Sequence, residues 1–225
     1  MEAPILPRVA RLVREYVCSS CIYEEILIMS RAVDPAATAG PIDVREYQED
    51  AVQVEHLYGA IGHRTSIRRI TQRFSQRLRF YEGRRNGELV ATTWMVMPGS
   101  RFVDEIGLHL VVPAESIWIR DIFVKPQARG QGVFGAFVSA IQFYFHPHCR
   151  AVWSDVSLED RSSLRAHVAT GFKKRALLKF LHLGNRLMWR IAVPPLVEYA
   201  GGFKPDRRGL VTGKPFREYQ SVWLA

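Results

Sequence analysis

Apolar positions along this chain recur with two periods that alternate from about residue 42 onward. "IDVREYQ" (42–48) sets Ile42 and Val44 against polar neighbours, the period of two that marks a half-buried strand. Val54, Leu57, Ile61, Ile67, Ile70 and Phe74 follow at helical spacing, which predicts two helices broken near Gly59–Gly62. "RLRFYEGRRNGELVATTWMVM" (77–97) predicts a β-hairpin, because Asn86-Gly87 accepts positive φ at both turn positions and β-rich segments flank it. A second strand pair is expected from "EIGLHLVV" (105–112) and "SIWIRDIFV" (116–124), joined by a turn at Pro113–Glu115. In "VFGAFVSAIQFYF" (133–145), Phe134, Phe137, Val138, Ile141 and Phe145 recur every three or four residues, a helix ended by Pro147. "AVWSDV" (151–156) reads as a strand, and "LEDRSSLRAHVAT" (158–170) as a helix with Asp160 at its N-cap and Gly171 as its stop. "KRALLKFLHL" and "RLMWRIAV", separated by Gly184-Asn185, predict a last hairpin. Ahead of all this, a short helix near Arg8–Val17 and a strand in "YEEILIMSRAV" (23–33) precede a linker by composition at 34–40.

These elements suggest three parts: an N-terminal extension (1–40), a central α/β domain (41–193), and a Gly-, Pro- and base-rich tail (194–225). The composition, 48% hydrophobic and 24% charged, is that of a soluble globular protein. No segment reads as a signal peptide, and none approaches the roughly 18–20 apolar residues of a membrane span. Three cysteines, an odd number, favour a reducing cytoplasm. Cys18-x-x-Cys21 has no second pair at ligand spacing, so no metal site is expected. The net charge of +9 is uneven: residues 160–225 hold 13 Lys or Arg against 4 Asp or Glu, whereas residues 1–159 hold 18 of each. An anionic partner (a phosphorylated cofactor, an acidic carrier protein or nucleic acid) and a plain solvated surface both account for this. Nucleic acid is the least favoured, because no helix carries basic residues down one face.

One joint carries chemistry. "VKPQARGQGVFG" (124–135) places glycines between a strand and a helix. The free N–H groups of a first helical turn point outward and the helix dipole adds positive potential, so the joint suits an anion. Gly130 and Gly132 permit close backbone approach and unusual φ, and Arg129 adds a fixed cation. No Gly-Lys-Ser/Thr follows, which excludes a Walker loop, and the Rossmann pattern fails too.

The run Gln127-Ala128-Arg129-Gly130-Gln131-Gly132, preceded by "IRDIFVKP", resembles the acyl-coenzyme A signature of the GNAT superfamily of N-acyltransferases. "DRSSLRAHVATGF" resembles the second motif of that family, with Asp160 at its Asn place, Ser163 at the small residue and His167 where the family has tyrosine. The resemblance covers about residues 41–192 and implies a mixed α/β (α+β) fold: a mostly antiparallel central sheet, two splayed parallel strands and helices on both faces. It further implies that the pantetheine arm of acetyl-CoA or another acyl-CoA lies along Ile122, Phe123 and Val124. The pyrophosphate would sit at Gln127, Arg129, Gly130 and Gln131 and on the amides of Gly132, Val133, Phe134 and Gly135, with Asp160 and Ser163 nearby. The implied chemistry is direct acyl transfer to a primary amine. Asp121 is then the leading base, beside Arg120 where many relatives have a second acid, and a structural ion pair explains it equally well. His167 would protonate the leaving sulfur, or only pack. Two alternatives stay open, an acyl-CoA sensor with weak turnover and an enzyme whose donor is an acidic acyl carrier protein. Arg64, Arg68, Arg69, Arg73, Arg77 and Arg79 hint at an anionic feature on the acceptor, or form a solvated face. The terminal extensions would serve as lid, docking arm or homodimer contact.

Overall fold

The computed structural model describes residues 21–33, 40–48, 50–103, 108–183 and 186–193. The expected helix at 8–17, most of the linker at 34–40, and the tail from 194 lie outside the described residues. Within them, ten strands and four α-helices form an eight-stranded sheet, a separate two-stranded sheet and helices on both faces of the larger sheet. The strands are β1 (Cys21–Ala32), β2 (Asp43–Tyr47), β3 (Arg79–Arg85), β4 (Glu88–Val96), β5 (Gly99–Val103), β6 (Leu108–Val112), β7 (Ser116–Val124), β8 (Ala151–Ser157), β9 (Lys173–Leu183) and β10 (Arg186–Val193). The helices are α1 (Ala51–Ile61), α2 (Ile67–Ser75), α3 (Val133–Tyr144) and α4 (Arg161–Ala169). In the large sheet the order is β10-β9-β1-β8-β7-β4-β3-β2.

Two expectations need correction. The sheet does not begin at residue 41: β1 lies inside it, paired antiparallel to β8 and β9. Its run Ile26–Met29 is buried throughout, as a strand covered on both faces must be. The expected pair is not found over the described residues: β6 pairs with β5 in the small sheet, while β7 lies between β4 and β8. Two strands joined by a short turn usually pair, but β7 carries the wholly buried Trp118 and Ile119 and takes two partners in the large sheet.

Local chemistry explains the elements that do match. Asn86 and Gly87 adopt φ of 52° and 82°, as a tight hairpin between β3 and β4 requires. Asp50 and Ser66 cap α1 and α2 by accepting from Gln53 N and Arg69 N. Asp160 caps α4, its Oδ1 accepting from Ser163 N at 2.9 Å.

The core divides by sheet face. On one side Val54, Tyr58, Ile61 and Ile70 of α1 and α2 pack with Phe80, Trp94, Trp118 and Trp153 of the strands. On the other, Val133, Phe137, Val138 and Ile141 of α3 pack with Met29, Tyr81, Met95, Ile119 and Val152. Gly83 of β3 is fitted to this second layer: a Cβ there would lie 2.6 Å from the ring of Phe137, which is wholly buried. Gly83→Ala is therefore expected to destabilise the fold by about 1–3 kcal/mol through overpacking, read as a lower midpoint in denaturant unfolding. An unchanged midpoint would show that α3 sits less tightly on the sheet.

Candidate active site

The site begins where the sheet comes apart. Strands β7 and β8 are the parallel pair, with register partners Ser116↔Ala151, Ile117↔Val152, Trp118↔Trp153 and Ile119↔Ser154, after which the ladder stops. The rings of Trp118 and Trp153, one register step before the ladder ends, stack at 6.0 Å in the core. Trp118 Nε1 donates to Asp155 Oδ1 at 2.7 Å.

A bulge explains the parting. Opposite β4, the register moves from Thr92↔Phe123 to Trp94↔Arg120, so Asp121 and Ile122 together face Thr93. Asp121 has φ of 50°, the left-handed region that aspartate tolerates better than most residues. Thr93 Oγ1 donates to the Arg120 carbonyl at 3.0 Å and fixes the extra residue. Such a bulge bends its strand and raises its twist, which turns the segment from Arg120 to Val124 away from β8.

Beyond Val124 the chain makes a 3₁₀ turn (Pro126–Ala128) and then the glycine loop. Gly130 and Gly132 adopt φ of 73° and 71°, and a Cβ at either would meet no protein atom within 4 Å. Both positions are thus left-handed and open on their outer side. Gly132 is the N-cap of α3 and brings no side chain to its first turn. Two loop side chains are tied back to the loop itself: Gln131 Nε2 donates to Gln127 O at 2.9 Å, and Arg129 Nε donates to Val124 O at 3.1 Å. The Arg129 guanidinium lies 5.3 Å from the centre of the Phe123 ring. A Cβ at Gly135 would make ordinary contact with Thr170 Oγ1 at the end of α4, 3.4 Å away. Val133 is buried, whereas Phe134 is half-buried with its ring 4.7 Å from that of His167. Ile122, Phe123 and Val124 are half-buried along the splayed edge.

The two expected catalytic side chains lie in different surroundings. The Asp121 carboxylate sits on the α1–α2 face, in an ion pair with the buried Arg73 and 3.7 Å from Arg120 Nε. Arg73 is itself held by Tyr58 Oη, 3.5 Å away, and by the face of Trp94. Trp94 Nε1 donates to the same Tyr58 oxygen at 2.7 Å. The structural ion pair foreseen for Asp121 is thus present, with Arg73 as its nearer partner.

His167 is 1% exposed, between α4 and β8. Its Nδ1 is 2.8 Å from the Ser163 carbonyl oxygen, which only accepts, so Nδ1 carries the proton. Nε2, 2.9 Å from Ser154 Oγ, therefore accepts the serine hydroxyl. Both nitrogens have partners inside the protein, and this tautomer presents no N–H toward the opening. Burial pushes the imidazole below its ordinary value, against opposing contributions from Ser163, Asp155 and Asp160. Because the unfolded chain binds that proton at a higher pH, His167 contributes stability that is complete above about pH 6.5 and falls as pH drops below it. His167→Gln is expected to flatten the decline in unfolding free energy between pH 7 and 5.5; an unaltered slope would remove His167 as its source. Asp160 is pushed up by burial but pulled further down by hydrogen bonds from Ser163 and Ser162, as an N-cap carboxylate is.

Among the described residues no helix is long and apolar enough to cross a membrane. Comparison with known proteins adds the family. The model of the acetyltransferase (GNAT) family matches residues 45–172. The chain belongs to that family. The matched span runs from β2 through the glycine loop to the end of α4, and so holds both splayed strands. No curated protein matches the chain. Solved structures that resemble this GNAT chain include a functionally unknown conserved protein from Staphylococcus epidermidis, at 11% identity, covering 82% of this chain and 69% of that one, TM-score 0.49. A GCN5-related N-acetyltransferase from Sphaerobacter thermophilus is 17% identical and covers 85% of this chain, TM-score 0.46; this chain spans only 58% of its length. An aminoglycoside N-acetyltransferase, AAC(6')-Iy in complex with a bisubstrate analogue, is 21% identical over 59% of this chain and 90% of that one, TM-score 0.43.

His63 gave no signal in the sequence. It lies between α1 and α2, with its ring 4.9 Å from Tyr58 and 4.7 Å from Phe123, and so stands at the splayed edge. No periodicity or motif marks it; its position depends on contacts made from three elements.

Proposed function

We propose that this protein is an N-acyltransferase that moves an acetyl or other acyl group from acyl-CoA to a primary amine by direct attack. One observation carries the reading: the parallel β7–β8 ladder ends at Ile119↔Ser154, and the strand that parts there leads into a glycine loop ending at an N-cap with no side chain of its own. A pantetheine arm lies in the parted strands as an added strand would, pairing with backbone of Ile122, Phe123 and Val124. The diphosphate rests on the first-turn amides of α3, where the helix dipole and unfilled N–H groups favour an anion. Arg129 is positioned beside it by Val124 and Phe123. Asp160 and Ser163 act indirectly in this reading, by setting the start of α4.

In the transfer step the amine nitrogen attacks the thioester carbonyl carbon. The oxygen that gains charge is held by backbone N–H of the bulged strand, and the C–S bond breaks to release thiolate. The test is thiol release from acetyl-CoA with a panel of primary amines, including polyamines, amino sugars and lysine peptides. Amine-dependent release supports the transferase. Saturable binding of acetyl-CoA with no release from any amine favours the sensor reading, which has one observation of its own: Asp121 and His167 both make protein contacts in place of the proton-transfer roles expected of them.

A further inference from the structure

Resting on the acyltransferase reading, we infer that His63, between α1 and α2, is the base that takes the proton from the attacking amine. The imidazole is half-buried against Phe123, in the segment of β7 that has left β8 and lies just past the bulge. Its loop also abuts the start of the glycine loop: a Cβ on Gly62 would lie 4.0 Å from Pro126 Cδ. A thioester laid along Ile122–Val124 would therefore have this ring beside it, on the face of the sheet covered by α1 and α2.

The second observation is availability. Among the described residues neither ring nitrogen of His63 has a hydrogen-bond partner; the ring is held by its faces, between Tyr58 and Phe123. Its backbone N–H donates to Tyr58 O at 2.8 Å, which fixes the loop without occupying the ring. Asp121 and His167, by contrast, have their polar atoms engaged by Arg73, Ser154 and Ser163.

The third is protonation state. The groups facing His63 are Tyr58 from α1, Arg69 and Arg73 from α2, and Asp121 from β7, with Arg129 across the Phe123 ring. Burial lowers the imidazole's proton affinity, Asp121 raises it, and Arg73 and Arg69 lower it again, leaving it below the ordinary value. The ring is thus neutral at pH 7 and able to accept a proton. Asp121 gains a task from this arrangement, because its carboxylate faces the imidazolium that forms. Proton and electrons balance simply. The amine nitrogen bonds to the acyl carbon, its surplus proton passes to His63, the C–S pair leaves with the thiolate, and His63 returns its proton to solvent.

The experiment compares the full chain with His63→Gln and His63→Gly. Acetyl-CoA affinity is measured first by titration calorimetry; if the parent does not bind, the acyltransferase reading itself fails and takes this inference with it. With binding established, His63→Gln is expected to lower kcat with the best amine of the panel by about 100-fold or more, with the KM for acetyl-CoA held within threefold. Imidazole added to His63→Gly should restore part of the rate, which a packing defect would not allow. In the parent, kcat/KM should fall on the acid side through a value below 6.5, and that limb should vanish in His63→Gln. Turnover by His63→Gln within threefold of the parent would overturn the inference while leaving the transferase intact. Should every amine be silent, the ring signal of His63 in NMR decides. A signal that titrates below 6.5 and moves on saturation with acetyl-CoA supports the placement; one that ignores saturating acetyl-CoA refutes it.

Discussion

Gly132→Val is expected to weaken acetyl-CoA binding by about 10- to 100-fold. Charge-assisted hydrogen bonds contribute about 1.5–3 kcal/mol each, and each 1.4 kcal/mol is a factor of about ten, so losing one such contact to the first turn of α3 produces that range. Valine also costs stability, since the residue sits at φ of 71° and strain there runs about 1–3 kcal/mol. Gly132→Asn separates the two effects. Asparagine tolerates the left-handed region, so the fold should keep most of its stability. Its side chain still enters the space where glycine leaves nothing within 4 Å, so binding should still fall. If Gly132→Asn binds acetyl-CoA as the parent does, the diphosphate does not touch this residue.

Trp94→Ala is expected to cost about 3–5 kcal/mol of unfolding free energy, measured in denaturant. Trp94 is wholly buried, and its contribution goes beyond volume. The indole N–H donates to Tyr58, its face carries the Arg73 guanidinium, and its edges meet Phe74 and Phe80 at 5.0 and 5.1 Å. Arg73 in turn pairs with Asp121, and Tyr58 backs His63. Removing the indole therefore loosens the α1–α2 wall of the opening together with the core. Under conditions where the variant remains folded, turnover should fall further than acetyl-CoA affinity, because α3, whose first-turn amides would take the diphosphate, packs on the other face of the sheet. Equal losses in both would show that the two halves of the opening are not separable in this way.

What could be read from the sequence follows the range over which each signal acts. The Asn86-Gly87 hairpin, the α3 stripe, the Asp160 cap and the glycine loop are set by residues within a few positions of one another, and all are found where the pattern put them. The partner of a strand is a longer-range matter. Alternation identified 105–112 and 116–124 as extended, but the contact that decides pairing for β6 is with β5, and for β7 with β4 and β8. The apolar run Ile26–Met29 carried the sign of a doubly covered strand, yet its distance in sequence from β8 and β9 concealed that they are its neighbours. In the site, the loop was legible because its chemistry lies in the backbone and in glycine. The side chains were not. Arg73 meets Asp121 across 48 positions and His63 meets Phe123 across 60, and no local pattern encodes either contact.

The most direct measurement is a pair of calorimetric titrations, one with acetyl-CoA and one with acetyl-pantetheine, which keeps the thioester and lacks the diphosphate. Acetyl-CoA should bind one to one, and at 100 times its Kd it should stabilise the fold by about 2.7 kcal/mol, visible as a rise in Tm. Acetyl-pantetheine should bind at least 100-fold more weakly, because it leaves the α3 amides without their anion. No heat and no rise in Tm with millimolar acetyl-CoA, or equal affinity for the two thioesters, would contradict a diphosphate held by the glycine loop.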